Sequence, residues 1–479
     1  MKRNYIRIMA VLVALGMLAS CKKFLDVKPE DKVLEEDTFS TVKGVNTALN
    51  GLYINLAKNS LYGDNLTLST IDILAQRYNV PSSHTLLTLS TYDYATKPAV
   101  DKIDAMWSAA YVNILNANVF MANLNKYMGV LDASTDSIYR GEAIAIRAML
   151  HLDLLRLYGP MYNSADSVKE SIPYYTQAES SANKYLPANQ VMSLILSDLA
   201  KAETLLKNDP VIANGVMPTF IDGENNFMRN RNYRLNYYAV KALQARANMY
   251  RGNKPAALEA AKVLIQNTAK FPWITLAAAV SEKTNPDRVY TQEMILGIQN
   301  SQLYNNYNNY FAPELEDKNI LAPVAGRLTT VFETNENDYR YNPQWAVPGN
   351  GSKTYRTFYK YADVIDKAKT FRFSIPMIKI SEMFYIAAEC EPVAATAIGY
   401  LNTVRNNRGL LSLAATANLN TELQKEYQKE FFGEGQLFYY YKRRNITSIP
   451  NGSAASGNVT MNASKYVLPL PLSETQYRQ

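Results

Sequence analysis

Cysteine, histidine and tryptophan are nearly missing from this chain of 479 residues, which carries two, two and three of them. His84, His151, Cys21 and Cys390 do not readily supply a zinc cluster or a histidine-centred triad. A disulfide framework is no better served, so the fold must rest on its core. Charge is modest too. Charged residues make up 19% and the formal net charge is +7, too mild to argue for nucleic acid or a polybasic membrane grip. There is no G-x-S-x-G nucleophile elbow. "GNGSKT" at 349–354 lacks the G-K-[ST] order of a phosphate loop, and "GEGQLF" at 433–438 lacks the third glycine of a dinucleotide fingerprint. The pairs Glu314 with Glu316 and Glu333 with Glu336 read as surface charge, although a glycosidase also needs two carboxylates.

Long apolar runs are scarce as well, and the longest one is informative. It spans Ile8 to Leu18, behind Lys2, Arg3 and Arg7 and ahead of Ala19 and Ser20. That order predicts a secretory leader over 1–20, too short to cross a bilayer, which takes about 20 apolar residues. Its loss lowers the formal charge by three. Leu18-Ala19-Ser20-Cys21 resembles a bacterial lipoprotein box, which makes Cys21 the expected lipid-bearing first residue and the membrane a partner through that lipid. Cys390, far away in an apolar helical pattern, reads as a small buried hydrophobe.

What is abundant is tyrosine, 35 in all, within a hydrophobic content of 47% that suits a sizeable core. A tyrosine offers a flat apolar face with a polar rim. Most long patterned segments predict amphipathic helices. Val42, Val45, Leu49, Leu52 and Leu56 share one face of 41–57, and Ile103, Trp107, Ala110, Ile114, Met121 and Leu124 one face of 101–128. The segment 139–160 carries Ile144, Ala148, Leu152 and Leu155 and stops at Gly159-Pro160. His151 within it has no second metal-type ligand at helical spacing and reads as structural. Helical hairpins are expected at 237–265, whose alanines and Gly252 resemble the tetratricopeptide pattern, and at 375–410. Thr421 and Gln424 fit a capping box. Phe271 and Trp273 read as closing a helix pair.

Three polar, aromatic stretches lack helical period: 75–94, 299–319 and 335–361. Only short strands are plausible, at Glu293 to Ile298 and Tyr355 to Tyr359. Long irregular loops usually serve function, so these are the expected site. Tyr304, Tyr307 and Tyr310 fall three apart with asparagines between, and Trp345 is the one tryptophan in a polar loop. Aromatic faces stack on the C–H face of a sugar while amides and charged groups meet its hydroxyls.

Five segments in order resemble the SusD/RagB family of outer-membrane nutrient-binding lipoproteins. They are "CKKFLDVKPE" at 21–30, "RGEAIAIRAMLHLDLLRLYG" at 140–159, "ISEMFYIAAEC" at 380–390, "LNTVRNNRGL" at 401–410 and "YVLPLPLSE" at 466–474. One departure is that the arginine usual after the glycine near 435 is Gln436, so its ion pair is expected to be absent or rebuilt with Arg443 or Arg444. The resemblance implies a mostly α fold: a scaffold of tetratricopeptide-like helix pairs, with long irregular loops and a few short strands. It also implies one domain over 21–479, with a scaffold half to about 270 and a half bearing the binding loops from about 271. It places Asp72, Arg77, Tyr78 and Asn79 where the family often has site residues. Function follows as expectation: a lipid-anchored protein on the extracellular face of the outer membrane, without cofactor, metal or catalytic set. It would capture a glycan for a SusC-type TonB-dependent transporter. A peptide-binding lid and a surface glycosidase are the alternatives.

Overall fold

In the computed structural model, residues 30–476 are described except 180 and 350–351. The expected leader and Cys21 lie outside them. Helices dominate, and the strands among the described residues form four two-stranded sheets. No helix there is long and apolar enough to cross a membrane.

Each long helix follows from its sequence pattern. Val42–Leu56 starts where Thr41 Oγ1 accepts the Gly44 amide at 3.1 Å. It buries Val45, Leu49, Leu52 and Leu56 against Lys97–Lys126. Val42, expected on that face, is 46% exposed because the first turn stands clear of the contact. On Lys97–Lys126, Ile103, Trp107, Ala110, Ile114 and Leu124 are buried, and the Trp107 ring meets Tyr158 edge-on at 4.8 Å. Trp107 is core, as its spacing predicts.

Ala133–Tyr158 is buried almost all round from Ala143 onward, as befits a central helix. His151 belongs to its packing. The Nδ1–H donates to Arg147 O at 2.9 Å, Nε2 accepts the Tyr175 amide at 3.2 Å, and the ring stacks on Tyr174 at 3.9 Å. Burial pushes its pKa down to about 3, so it stays neutral. The helix ends at Gly159, yet φ there is −74° rather than positive. Glycine is required by crowding instead, since a Cβ would lie 2.5 Å from Leu155 O. Lys442, 1% exposed, donates to the carbonyls of Arg156, Leu157 and Gly159 and so closes the helix end from far along the chain.

The later helices come in pairs that pack one on the next. Tyr237–Tyr250 and Lys254–Ile265 turn at Gly252, with Asn236 and Asn253 as N-caps. Ala242, Ala245, Ala257 and Ala261 are fully buried between them and their neighbours, which lets the backbones approach closely. Trp273 meets Phe384 at 5.2 Å and Phe271 meets Tyr238 edge-on, closing the pair. In the second hairpin, Ile380–Cys390 and Ala394–Asn406 are helical, but 375–379, expected to be helix, belongs to strand Ser374–Lys379. It pairs antiparallel with Met294–Gln299, Gln299 facing Ser374 and Met294 facing Lys379. Short apolar runs buried on both faces read equally as helix or strand. Cys390 is buried beside Met249, 3.3 Å sulfur to sulfur, and burial pushes its thiol up to about 11, so it is inert packing. The final long helix, Leu419–Glu430, is capped by Asn418, whose side chain accepts the Thr421 amide; Thr421 is not the cap.

Arg443 and Arg444 both bind Glu389 rather than replacing the ion pair after Gly435. Gln436 Oε1 instead accepts from Arg156 at 3.3 Å. Glu430 binds Arg408, Lys379 and Arg340, while Glu434 binds Lys379 and Lys360, all of them buried.

Candidate functional site

The three irregular stretches fold against one another. Helix Leu303–Tyr310 forms inside 299–319, where the sequence shows no long helical period. Its tyrosines at steps of three therefore share a face. Asparagines from this segment lock it to the loop after Leu56. Asn306 Nδ2 donates to Gly63 O at 2.9 Å and to Asn59 Oδ1 at 2.8 Å, and Asn300 Nδ2 donates to Gly63 O at 3.0 Å. Tyr310 donates to Asp64 Oδ2 at 3.0 Å. The asparagines expected to meet ligand are in part joints between loops.

Beneath lies a continuous aromatic cluster. Phe311 meets Tyr78 at 5.7 Å and Phe358 at 5.1 Å, Trp345 meets Phe358 at 4.6 Å and Phe432 at 5.0 Å, and Phe332 stacks on Tyr341 at 4.8 Å. Trp345 is 0% exposed, in strand Trp345–Ala346 paired with Thr357–Phe358. Sequence reasoning expects a stacking platform there; the structure makes Trp345 a pillar of the loop core, because its large apolar ring gains more by burial than by exposure.

Asp72, Arg77 and Tyr78 are likewise enclosed. Asp72, fully buried, accepts the Gly433 amide at 2.6 Å and the Tyr78 hydroxyl at 3.2 Å. Burial pushes its carboxyl up to about 6 against the opposing pull of Arg77. The Arg77 guanidinium lies 3.4 Å over the Phe432 ring and donates to Gln428 O at 2.6 Å. Gly433 can only be glycine: φ is +70°, and a Cβ would sit 2.6 Å from Tyr361. These residues tie the first loop to 428–435. Asn79 is half-buried and bridges through its backbone to Ala322.

Solvent meets the outer side of this unit. Tyr304 and Tyr310 are half-buried, and Asn305, Asn308, Asn309 and Glu314 are exposed; Tyr307 is buried. Tyr304 packs on Phe373 at 4.7 Å and accepts its amide at 3.2 Å. Two tyrosines that the sequence reading did not single out, Tyr355 and Tyr359, are also half-buried. Tyr355 donates to the exposed Asp317 at 2.7 Å, and Tyr359 lies within electrostatic reach of Tyr307, Arg288 and Glu314. A cavity beside Tyr304 and Arg288 measures about 20 Å³, room for a water and not for a sugar ring.

Three of the four acids in the pairs Glu314 with Glu316 and Glu333 with Glu336 are held by cations. Glu333 is held by Lys425 and Lys429, and these cations depress its carboxyl to about 2 against the cost of burial, the opposite of a general acid. Glu336 binds Arg356 and Glu316 binds Lys318. No cluster of three or more metal-ligating side chains occurs among the described residues.

Two family models match the chain: one described as starch-binding associating with outer membrane, over residues 23–215, and the SusD family, over 220–476. A SusD-like protein of Formosa agariphila is 22% identical, over 91% of this chain and 90% of its own length. A SusD superfamily structure from Bacteroides thetaiotaomicron superposes with a TM-score of 0.72 at 19% identity, covering 91% of this chain and 98% of that one. Surface glycan-binding protein A from the same organism, in complex with laminarihexaose, gives 0.66 at 19% identity, covering 91% and 97%. With matches across both halves and the same helical architecture, the chain belongs to the SusD family.

Proposed function

We propose that this protein binds glycan on the outer side of the loop unit and is not an enzyme. The observation that carries the reading is the locking of three distant loops into one body, with Tyr304, Tyr310, Tyr355 and Tyr359 half-exposed at its surface. Fixed rings beside exposed amides bind carbohydrate at low entropic cost, because little is left to order. The ligand lies across the surface, since the cavity there admits only water. Relatives described as laminarin-binding, or solved with laminarihexaose, support the class. The buried residues Asp72, Arg77, Tyr78 and Trp345 act from below, holding the rings in place. Cys21 carries the lipid that anchors the protein at the outer membrane, and a SusC-type transporter receives the glycan. Calorimetry with laminarihexaose and starch oligosaccharides tests the site. Tyr310→Ala with Tyr359→Ala is expected to weaken binding about tenfold, or about 1.4 kcal/mol; unchanged affinity would place the ligand elsewhere.

A further inference from the structure

The loop at 215–230, between helix Pro210–Asn214 and the turn Arg231–Tyr233, belongs neither to the helix pairs nor to the three locked stretches. Near its tip Phe220 is 68% exposed, and no other aromatic side chain among the described residues is as open. Ile221 beside it is exposed too. A single exposed apolar side chain is ordinary, but this one is held out by a built loop. Asn226 clasps the tip: its Oδ1 accepts the Ile221 amide at 2.8 Å, and its Nδ2 donates to Ile221 O at 2.8 Å and Glu224 O at 3.0 Å. Arg229 Nη1 donates to Thr219 O at 3.1 Å. At the base, the amides of Asn230 and Arg231 donate to Met217 O and Val216 O, both at 3.3 Å. Met217 is kept at φ +52°, which costs a non-glycine residue free energy and persists only where the surroundings fix it. Phe227 packs 5.6 Å from Tyr139, with the Arg234 guanidinium 4.7 Å over its ring. A compact surface loop bonded to itself in this way presents Phe220 at a fixed place.

The base of the loop adjoins the ring surface. Tyr233, two residues past Arg231, shares a hydrogen bond of 2.6 Å with Ser374 Oγ, and Ser374 lines the small cavity together with Tyr304 and Phe373. A second link runs through helix Val42–Leu56: Arg234 donates to Asn50 within it, and Asn59, just past its end, meets Asn306. Phe220 is four residues beyond Val216, so it stands at most about 14 Å from the loop base. Asp222 and Asn225, both exposed, add a carboxylate and an amide to the same tip. An apolar ring face with polar partners close by is what a sugar needs.

We propose that Phe220, with Asp222 and Asn225, is an outlying subsite for the glycan, so that the protein takes extended chains in preference to short ones. The inference rests on the glycan reading of the Tyr304 and Tyr310 surface. A chain lying on those rings continues past Ser374 to the loop, whereas a chain of a few sugars stops short of it.

Calorimetry with laminaritriose, laminarihexaose, maltotriose and maltohexaose tests it. The parent protein should prefer the hexasaccharide of the series it binds. Phe220→Ala should lower hexasaccharide affinity about fivefold, within what one stacked ring contributes, and leave the trisaccharide unchanged. Phe220→Trp should keep the preference, and its indole emission should change with the hexasaccharide and not with the trisaccharide. Equal hexasaccharide affinity in Phe220→Ala and the parent, while Tyr310→Ala with Tyr359→Ala still weakens both lengths, overturns the subsite and leaves the glycan reading standing. An equal loss for both lengths in Phe220→Ala overturns the subsite as well. No binding of either series, or no effect of the tyrosine pair, removes the glycan reading and the subsite with it.

Discussion

The helical scaffold and the loop unit use the same kinds of contact in different proportions. Between the helix pairs lie mostly alanines and aliphatic side chains, such as Ala245, Ala261, Leu152 and Leu243, all fully buried, with isolated buried ion pairs such as Arg147 with Asp198 and Arg231 with Glu142 and Asp209. Under the loops lie stacked rings, side chains bonded to carbonyls, and a chain of buried charges running from Glu293 through Arg408 and Glu430 to Lys379, Glu434 and Lys360. Apolar contacts tolerate small shifts and give bulk stability. Buried charges and directed hydrogen bonds are intolerant of a missing partner, and that intolerance can hold irregular backbone in one shape. A surface meant to present rings at fixed positions is therefore built from the more demanding interactions.

The largest test of this contrast is Glu430→Ala. It removes a carboxylate that the buried Arg408, Lys379 and Arg340 share, leaving them with Glu293, Glu434, Asp338 and Glu426 and one negative charge fewer in the interior, and a loss of about 3–5 kcal/mol is expected by denaturant unfolding. Leu152→Ala, in the scaffold, should cost about 3 kcal/mol through its cavity. If Glu430→Ala cost less than Leu152→Ala, the charges would be dispensable decoration.

A pH experiment comes next. Asp72 has a folded pKa near 6 against an ordinary 3.8, so the folded state holds that proton more tightly than the unfolded chain does. Its contribution to stability is full below about pH 4 and is lost as pH rises through 6, by up to about 1.4 kcal/mol per pH unit within the window. Glu333 and Glu389, both depressed to about 2, act in the opposite sense, contributing above their ordinary range and losing it in acid. Measuring parent protein against Asp72→Asn isolates the first effect: the difference in stability between them should change across pH 4–6 and stay flat above pH 7. A constant difference throughout would mean Asp72 titrates normally.

The smallest expected effect is Asn306→Ala, about 1 kcal/mol globally. Hydrogen exchange should quicken around 57–66 and 299–312 while amides of Ala133–Tyr158 keep their protection. Uniform acceleration would show that loops and scaffold open together.

Much of the scaffold could be read in advance, because amphipathic period is local information: the helices at 42–56, 97–126 and 237–265 follow it closely. The loop unit could not. Tyr304, Tyr307 and Tyr310 at steps of three suggest a ladder of rings, but the same spacing marks one face of a short helix, and which side meets solvent depends on Asn59 and Gly63, over 200 residues away. Trp345 looks exposed in a polar sequence because its neighbour Phe358 reaches it only through strand pairing and Phe432 comes from another segment. Strand 374–379 hides its identity until its partner at 294–299 is known. Pairings of this range leave no trace in a local window.

Lys442 closes the end of the Ala133–Tyr158 helix, and nearby the Leu468 amide donates to Leu157 O at 3.1 Å. The order of synthesis and the order of assembly are therefore at odds. The central helix of the first half is made early but finds its terminal partners only when almost the whole chain exists. In a fragment stopping before 442 the end of that helix is expected to fray.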